Sequence, residues 1–124
     1  MAVSRISADA IQRIRKGKTN TVDKTTVVVK FYANDCHLCH ALSDYYVDIS
    51  NDEDFDEIYF FAHNINDDGG IAESLKLNGV PSIAIFQTQN GRCTKTRLLN
   101  DPDEPNEKTW YTSKYIKNFI KKEM

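Results

Sequence analysis

Apolar positions along the chain follow two kinds of pattern. Near-continuous apolar runs occur at 25–33, 58–65 and 82–86, bounded by polar residues. Runs this short, rich in β-branched and aromatic residues, predict strands covered on both faces. Helical spacing lies between and around them. Leu38, Leu42, Tyr45 and Ile49 recur every three or four residues and predict a helix whose body runs from Ala41 to Ser50, facing inward on those four. Ile71 and Leu75 predict a short helix over 71–77, ended by Asn78-Gly79. Tyr115, Ile116, Phe119 and Ile120 predict a last amphipathic helix, capped by Thr112 or Ser113, with Lys114, Lys117, Lys121 and Lys122 on its other side.

The ends and connections complete the outline. Ser7 caps a predicted helix over 8–16 that uses Ile11 and Ile14 and stops at Gly17. Val3 to Ile6 suit a short edge strand. Asn90-Gly91 is a tight reversal, after which 92–99 returns as an edge strand, with Cys93, Lys95 and Arg97 alternating against Thr94, Thr96 and Leu98. Polar stretches at 18–24, 51–56, 66–70 and 100–108 read as connections, and the loop at 66–70 also offers N-cap residues. The order helix, strand, helix, strand, helix, strand, strand, helix predicts an α/β fold: a mixed central sheet with helices on both faces. One domain over 1–124 is expected, with an N-terminal helix region at 1–24 and a core at 25–124.

Composition narrows the partners. A length of 124 residues can bury a core without disulfide staples. A net charge of −2 points to neither nucleic acid nor an anionic membrane as a partner. The first ten residues carry no signal-like apolar stretch, so the expected location is cytoplasmic. Three cysteines, an odd number, argue against a purely structural disulfide framework.

Chemistry concentrates at Cys36-His37-Leu38-Cys39-His40, where the first buried strand meets a helix through the polar corner Asn34-Asp35. A cysteine at a helix N-terminus faces unsatisfied backbone N–H groups, which favour its thiolate. Cys39 follows one turn later, within reach of a disulfide with Cys36. Cys36, nearer the corner, is the attacking thiolate and Cys39 the resolving thiol. Protonated His37, and secondarily His40, would add positive charge beside the sulfur, while Asp35 opposes it. Three other readings stand beside this one. The run matches a haem-attachment pattern literally, although the only methionines are Met1 and Met124. A structural zinc site would need ligands drawn from His37, His40, His63 or Cys93. The pair could also be inert.

The chain resembles the thioredoxin family over Thr25 to Ile120. The motifs are Val28-Val29-Lys30-Phe31-Tyr32-Ala33 ahead of Cys36-His37-Leu38-Cys39, Gly79-Val80-Pro81-Ser82 ahead of the third strand, and Asn90-Gly91 at the hairpin. The resemblance implies a thioredoxin-like fold and thiol–disulfide exchange with protein disulfides. It implies a redox-active disulfide Cys36–Cys39 with no other cofactor or metal, and an electron donor resembling thioredoxin reductase. It also implies that Pro81 is cis beside the disulfide, that the Val80 backbone binds extended substrate, and that Asp35, His37 and Leu38 complete the substrate surface. The bland alternative is that Gly79-Val80-Pro81 only ends a helix. Departures from the family are specific. Asp35 stands where the family has tryptophan, and His37-Leu38 replaces Gly-Pro. Lys30 occupies the place of the family's buried acid, and Ala62 that of its neighbouring lysine.

Several residues allow two readings. Lys30 is either a buried amine of depressed pKa near Cys39 or a side chain that snorkels to solvent. Cys93 reads as a small hydrophobe or a modifiable thiol, and His63 as a structural histidine. Tyr32, Tyr45, Tyr46, Tyr59, Phe60, Phe61 and Phe86 read mostly as core. Trp110 anchors the acidic loop or presents a partner contact. That loop, with Asp101, Asp103, Glu104 and Glu107, is longer than the family's usual connection and is either a solvated turn or a discriminating surface. Three functions follow: a protein-disulfide reductant, an oxidase or isomerase of the same fold, or a binding subunit whose thiols are idle.

Overall fold

The computed structural model describes residues 3–18, 22–67 and 70–124. Residues 19–21 of the predicted connection at 18–24 and residues 68–69 of the predicted loop at 66–70 lie outside the described residues. Five strands, β1 (Ser4–Arg5), β2 (Thr25–Tyr32), β3 (Ile58–Asn64), β4 (Ser82–Gln89) and β5 (Arg92–Leu98), form one sheet in the order β1-β3-β2-β4-β5. β1, β3 and β2 run parallel, and β4 and β5 antiparallel to their neighbours. The helices are α1 (Ala8–Arg15), α2 (His37–Ser50), α3 (Ile71–Ser74) and α4 (Ser113–Glu123). This is the expected mixed α/β sandwich, a thioredoxin-like fold.

Strand parity explains the two cores. In β2, Val28 joins Leu42, Tyr46, Ile49, Ile116 and Ile120 under α2 and α4. Val27, Val29 and Phe31 face the other way, with Ile11, Ile71 and Leu75 of the α1 and α3 side. Lys30 shares the parity of Val28, so its side chain enters the α2 side.

Helix ends obey local chemistry. Ser7 and Thr112 accept N-cap hydrogen bonds from Ala10 and Tyr115. α1 ends with Gly17 at φ 70, and Lys18 N–H donates to Arg13 O at 2.8 Å. Glycine is required here twice over, because a Cβ would also lie 3.0 Å from the Arg92 Cα.

Three expectations change. α3 stops at Ser74 rather than reaching Leu77. Lys76 adopts φ 58, and Leu77 N–H returns to Ala72 O, closing a Schellman turn that ends the helix early. In α2 the inward face is Cys39, Leu42, Tyr46 and Ile49, whereas Tyr45 is 49% exposed. The Tyr46 hydroxyl lies 2.8 Å from Phe61 O and 3.2 Å from Val28 O, so the buried ring has acceptors there that Tyr45 lacks. Finally, β5 does not alternate uniformly: a bulge opposite Gln87 and Thr88 shifts the register, and Cys93 turns inward while Arg97 turns out. Of the aromatic group, Tyr59 is also exposed, and Tyr32 and Phe61 are half-buried. No helix among the described residues is long and apolar enough to cross a membrane.

Candidate active site

The end of β2 delivers the cysteines. Ala33 is buried, the chain turns through exposed Asn34 and Asp35, and Cys36 takes the N-cap position of α2 with extended backbone. Asparagines hold this corner in place. Asn34 N–H donates to Asn66 Oδ1 at 2.8 Å, and Asn64 Nδ2 donates to Asn34 Oδ1 at 2.7 Å. Asn66 N–H in turn donates to Asn64 Oδ1 at 3.0 Å. His40 Nε2 donates to Asn34 O at 2.9 Å, which ties the first turn of α2 back to the corner.

Cys36 and Cys39 form a disulfide with a Cα–Cα distance of 5.3 Å. The two sulfurs differ in access. Cys36 is partly exposed, whereas Cys39 is fully buried. Cys39 N–H donates to Cys36 Sγ at 3.1 Å, placing a helix N-terminal donor on the accessible sulfur. Cys36 Sγ also lies 3.8 Å from Val80 O. The Val80–Pro81 peptide is cis, and Pro81 is buried beside the pair. Exposed Asp35 and His37 flank Cys36, and half-buried Leu38 lines a groove with Val80 and Pro81. The structure therefore brings together Asp35, Cys36, His37, Leu38, Cys39, Val80 and Pro81. Among the described residues no three His, Cys, Asp or Glu side chains are grouped to hold a metal ion.

Lys30 lies behind this surface. It is only 4% exposed, so it does not snorkel to solvent. Its Nζ donates to Ser43 Oγ at 2.9 Å and sits 5.3 Å from the Tyr46 ring centroid and 5.7 Å from that of Tyr32. Ser43 Oγ donates to Cys39 O at 3.4 Å, which places the amine one side chain away from the Cys39 backbone. Burial lowers its pKa from the usual 10.5 to about 8. Lys30 pairs in register with Ala62, so the two positions at which the chain departs from the family's charged pair face each other across β2 and β3.

Elsewhere, His63 is buried with Nδ1 2.8 Å from Ile6 O, as a structural histidine should be. Cys93 is a free, half-buried thiol that donates to Lys95 O at 3.4 Å. The asparagine cluster and Ser43 were not foreseen. Asn34 and Asn66 are 32 positions apart, and no periodicity links them. The asparagine-rich run 64–66 at a strand end was the available signal.

Comparison with known proteins agrees with this geometry. The family model described as thioredoxin matches residues 14–103, most of the chain, and the protein belongs to the thioredoxin family. Three solved structures share the fold. A thioredoxin of Malassezia sympodialis (Mala s 13) is 22% identical with a TM-score of 0.58, each chain covered over 77%. The J-Trx1 fragment of ERdj5 is 16% identical with a TM-score of 0.68, matching 97% of this chain and 50% of its own. A structure from work on thiol resolving in yeast mitochondrial 1-Cys peroxiredoxin via glutathione/thioredoxin systems is 13% identical with a TM-score of 0.62, matching 97% and 94%. No curated protein sequence matches. The class defined by fold and site is a thioredoxin-fold protein with a disulfide suited to thiol–disulfide redox chemistry.

Proposed function

We propose that the protein is a thiol–disulfide oxidoreductase that reduces protein disulfides. The observation that carries this reading is the asymmetry of the pair: Cys36 is partly exposed at a helix N-terminus, and Cys39 is fully buried behind it. In the dithiol form the Cys36 thiolate attacks one sulfur of the substrate disulfide, and the other substrate sulfur leaves as a thiolate that takes up a proton. Cys36 is then joined to substrate. The deprotonated Cys39 sulfur attacks Cys36 Sγ, the second substrate thiolate leaves, and the Cys36–Cys39 disulfide forms. Two electrons pass to the substrate. An external dithiol-delivering reductase, a donor resembling thioredoxin reductase, returns them.

The backbone of Val80, 3.8 Å from the attacking sulfur, supplies strand-like hydrogen bonding for an extended substrate. Lys30 acts through electrostatics as a positioning residue: its ammonium, linked to Cys39 through Ser43, favours the thiolate needed for resolution. The test is reduction of insulin disulfides by the dithiol form. Cys36→Ser should abolish turnover. Cys39→Ser should trap the mixed disulfide, visible by mass spectrometry. Turnover that survives Cys36→Ser overturns the assignment.

A further inference from the structure

The exchange chemistry does not use the far wall of the groove beside the disulfide. This groove encloses about 300 Å3, with Leu38, Val80 and Pro81 on the disulfide side and Asp101 and Trp110 on the other. The far wall is carried by the long loop before α4. The loop is built rather than loose. Asn106 and Trp110 exchange two backbone hydrogen bonds at 2.9 Å, and Asn106 Oδ1 accepts from Lys108 and Thr109 N–H. Trp110 is held at φ 66, in the left-handed region that a bulky residue occupies only when its surroundings enforce it. Its ring packs partly on the core and donates Nε1–H to Asp101 Oδ1 at 3.2 Å. Trp110 therefore both anchors the loop and lines the groove.

We propose that Trp110 and Asp101 make this groove select extended, disulfide-bearing segments with a basic residue beside the reacting cysteine. The inference rests on the exchange reading above and deepens it. Asp101 is the one charged residue among the described residues lining the groove, and none of the described Lys, Arg or His side chains pairs with it. Lys76 lines a small neighbouring cavity with Asp101 without pairing with it. On the disulfide side, exposed Asp35 adds negative charge next to Cys36 in the chain, and exposed His37 is the opposing group. The loop that carries Asp101 also displays exposed Asp103, Glu104 and Glu107 against Lys108. An indole face beside a carboxylate suits an ammonium or guanidinium: the ring offers a cation–π contact, and the free carboxylate oxygen a charge-assisted hydrogen bond. A glutamate in the same place would meet like charge.

Two synthetic peptides test this, each with one cysteine blocked as a mixed disulfide with a chromogenic thiol. One carries Lys on both sides of that cysteine, the other Glu. Each rate with the reduced full-length protein is divided by the rate of the same peptide with dithiothreitol, which removes intrinsic reactivity. The Lys peptide should be favoured about tenfold. Asp101→Asn keeps an acceptor for the indole N–H and removes the charge, and should cut that preference at least about threefold. Trp110→Ala should cut it similarly, while Asp103→Asn, outside the groove, should leave the ratio in place. Equal corrected rates in the wild type, or a ratio that Asp101→Asn does not move, overturn the proposal. Failure of the wild type to reduce a small neutral disulfide would instead remove the exchange reading on which it stands.

Discussion

At the scale of single residues, Lys30 departs furthest from ordinary burial rules. A charged amine in the central strand is tolerated because it has one hydroxyl acceptor and two aromatic faces. Unfolded, it titrates near its usual 10.5; folded, near 8. Between those values the unfolded chain binds more protons, so stability rises with pH across that window. Below it, the folded state bears the whole cost of the buried ammonium, about 3 kcal/mol. Lys30→Met should therefore be more stable than wild type by about 1–3 kcal/mol at pH 7, and the gain should fade as pH rises from 8 toward 10.5. Urea midpoints at pH 7 and pH 10 check this. A gap that does not narrow would mean that the amine is not titrating inside the fold. The sequence placed Lys30 within a buried strand but could not choose between burial and escape, because the choice depends on Ser43 and Tyr46 from another element.

At the scale of elements, the corner between β2 and α2 positions the reactive sulfur. Its helix side was legible: a strand, a two-residue turn, then cysteines three apart at the start of an amphipathic helix. The asparagine clasp was not, since it recruits Asn64 and Asn66 from the end of a different strand. Asn66→Ala removes the acceptor for Asn34 N–H and should cost about 0.5–1.5 kcal/mol in urea unfolding. Asn66→Asp, which retains an acceptor, should recover most of it. An alanine variant with the wild-type midpoint would show that water replaces the clasp without loss. The same element shows how a period can be misread by one position. Leu42 and Ile49 fit either phase, and only the acceptors near Tyr46 select it over Tyr45.

For the whole molecule, the two cores meet through one sheet, so the chain is proposed to unfold as a unit. Calorimetry should show a single transition whose calorimetric and van't Hoff enthalpies agree. The docking of α4 separates the forces at work. Ile116 is fully buried against the sheet face, and Ile116→Ala should cost about 2–5 kcal/mol. The half-exposed pair Lys117–Asp52 at 3.1 Å and the exposed pair Lys121–Asp54 at 3.6 Å hold the same helix to the turn before β3. Removing both lysines should cost no more than about 1 kcal/mol, because water and salt screen such pairs. A larger loss from the lysines than from Ile116 would reverse this account of the interface.

The existence and order of the elements, their caps and the hairpin needed no tertiary knowledge. Ser7, Thr112 and Asn90-Gly91 act on backbone within a few positions, as does the helix-stopping role of Gly17, and strand burial follows from runs of adjacent side chains. The reactive pair belongs with them, since cysteines three apart at a helix start are neighbours in any fold that forms the helix. Other features existed only once the chain had closed: the Val80 carbonyl over Cys36, the sealing of Cys39, the hydroxyl under Lys30 and the indole across from Pro81. Each joins groups from different elements through hydrogen bonds and contacts that leave no period behind, so only the packing of helices and loops on the sheet decided them.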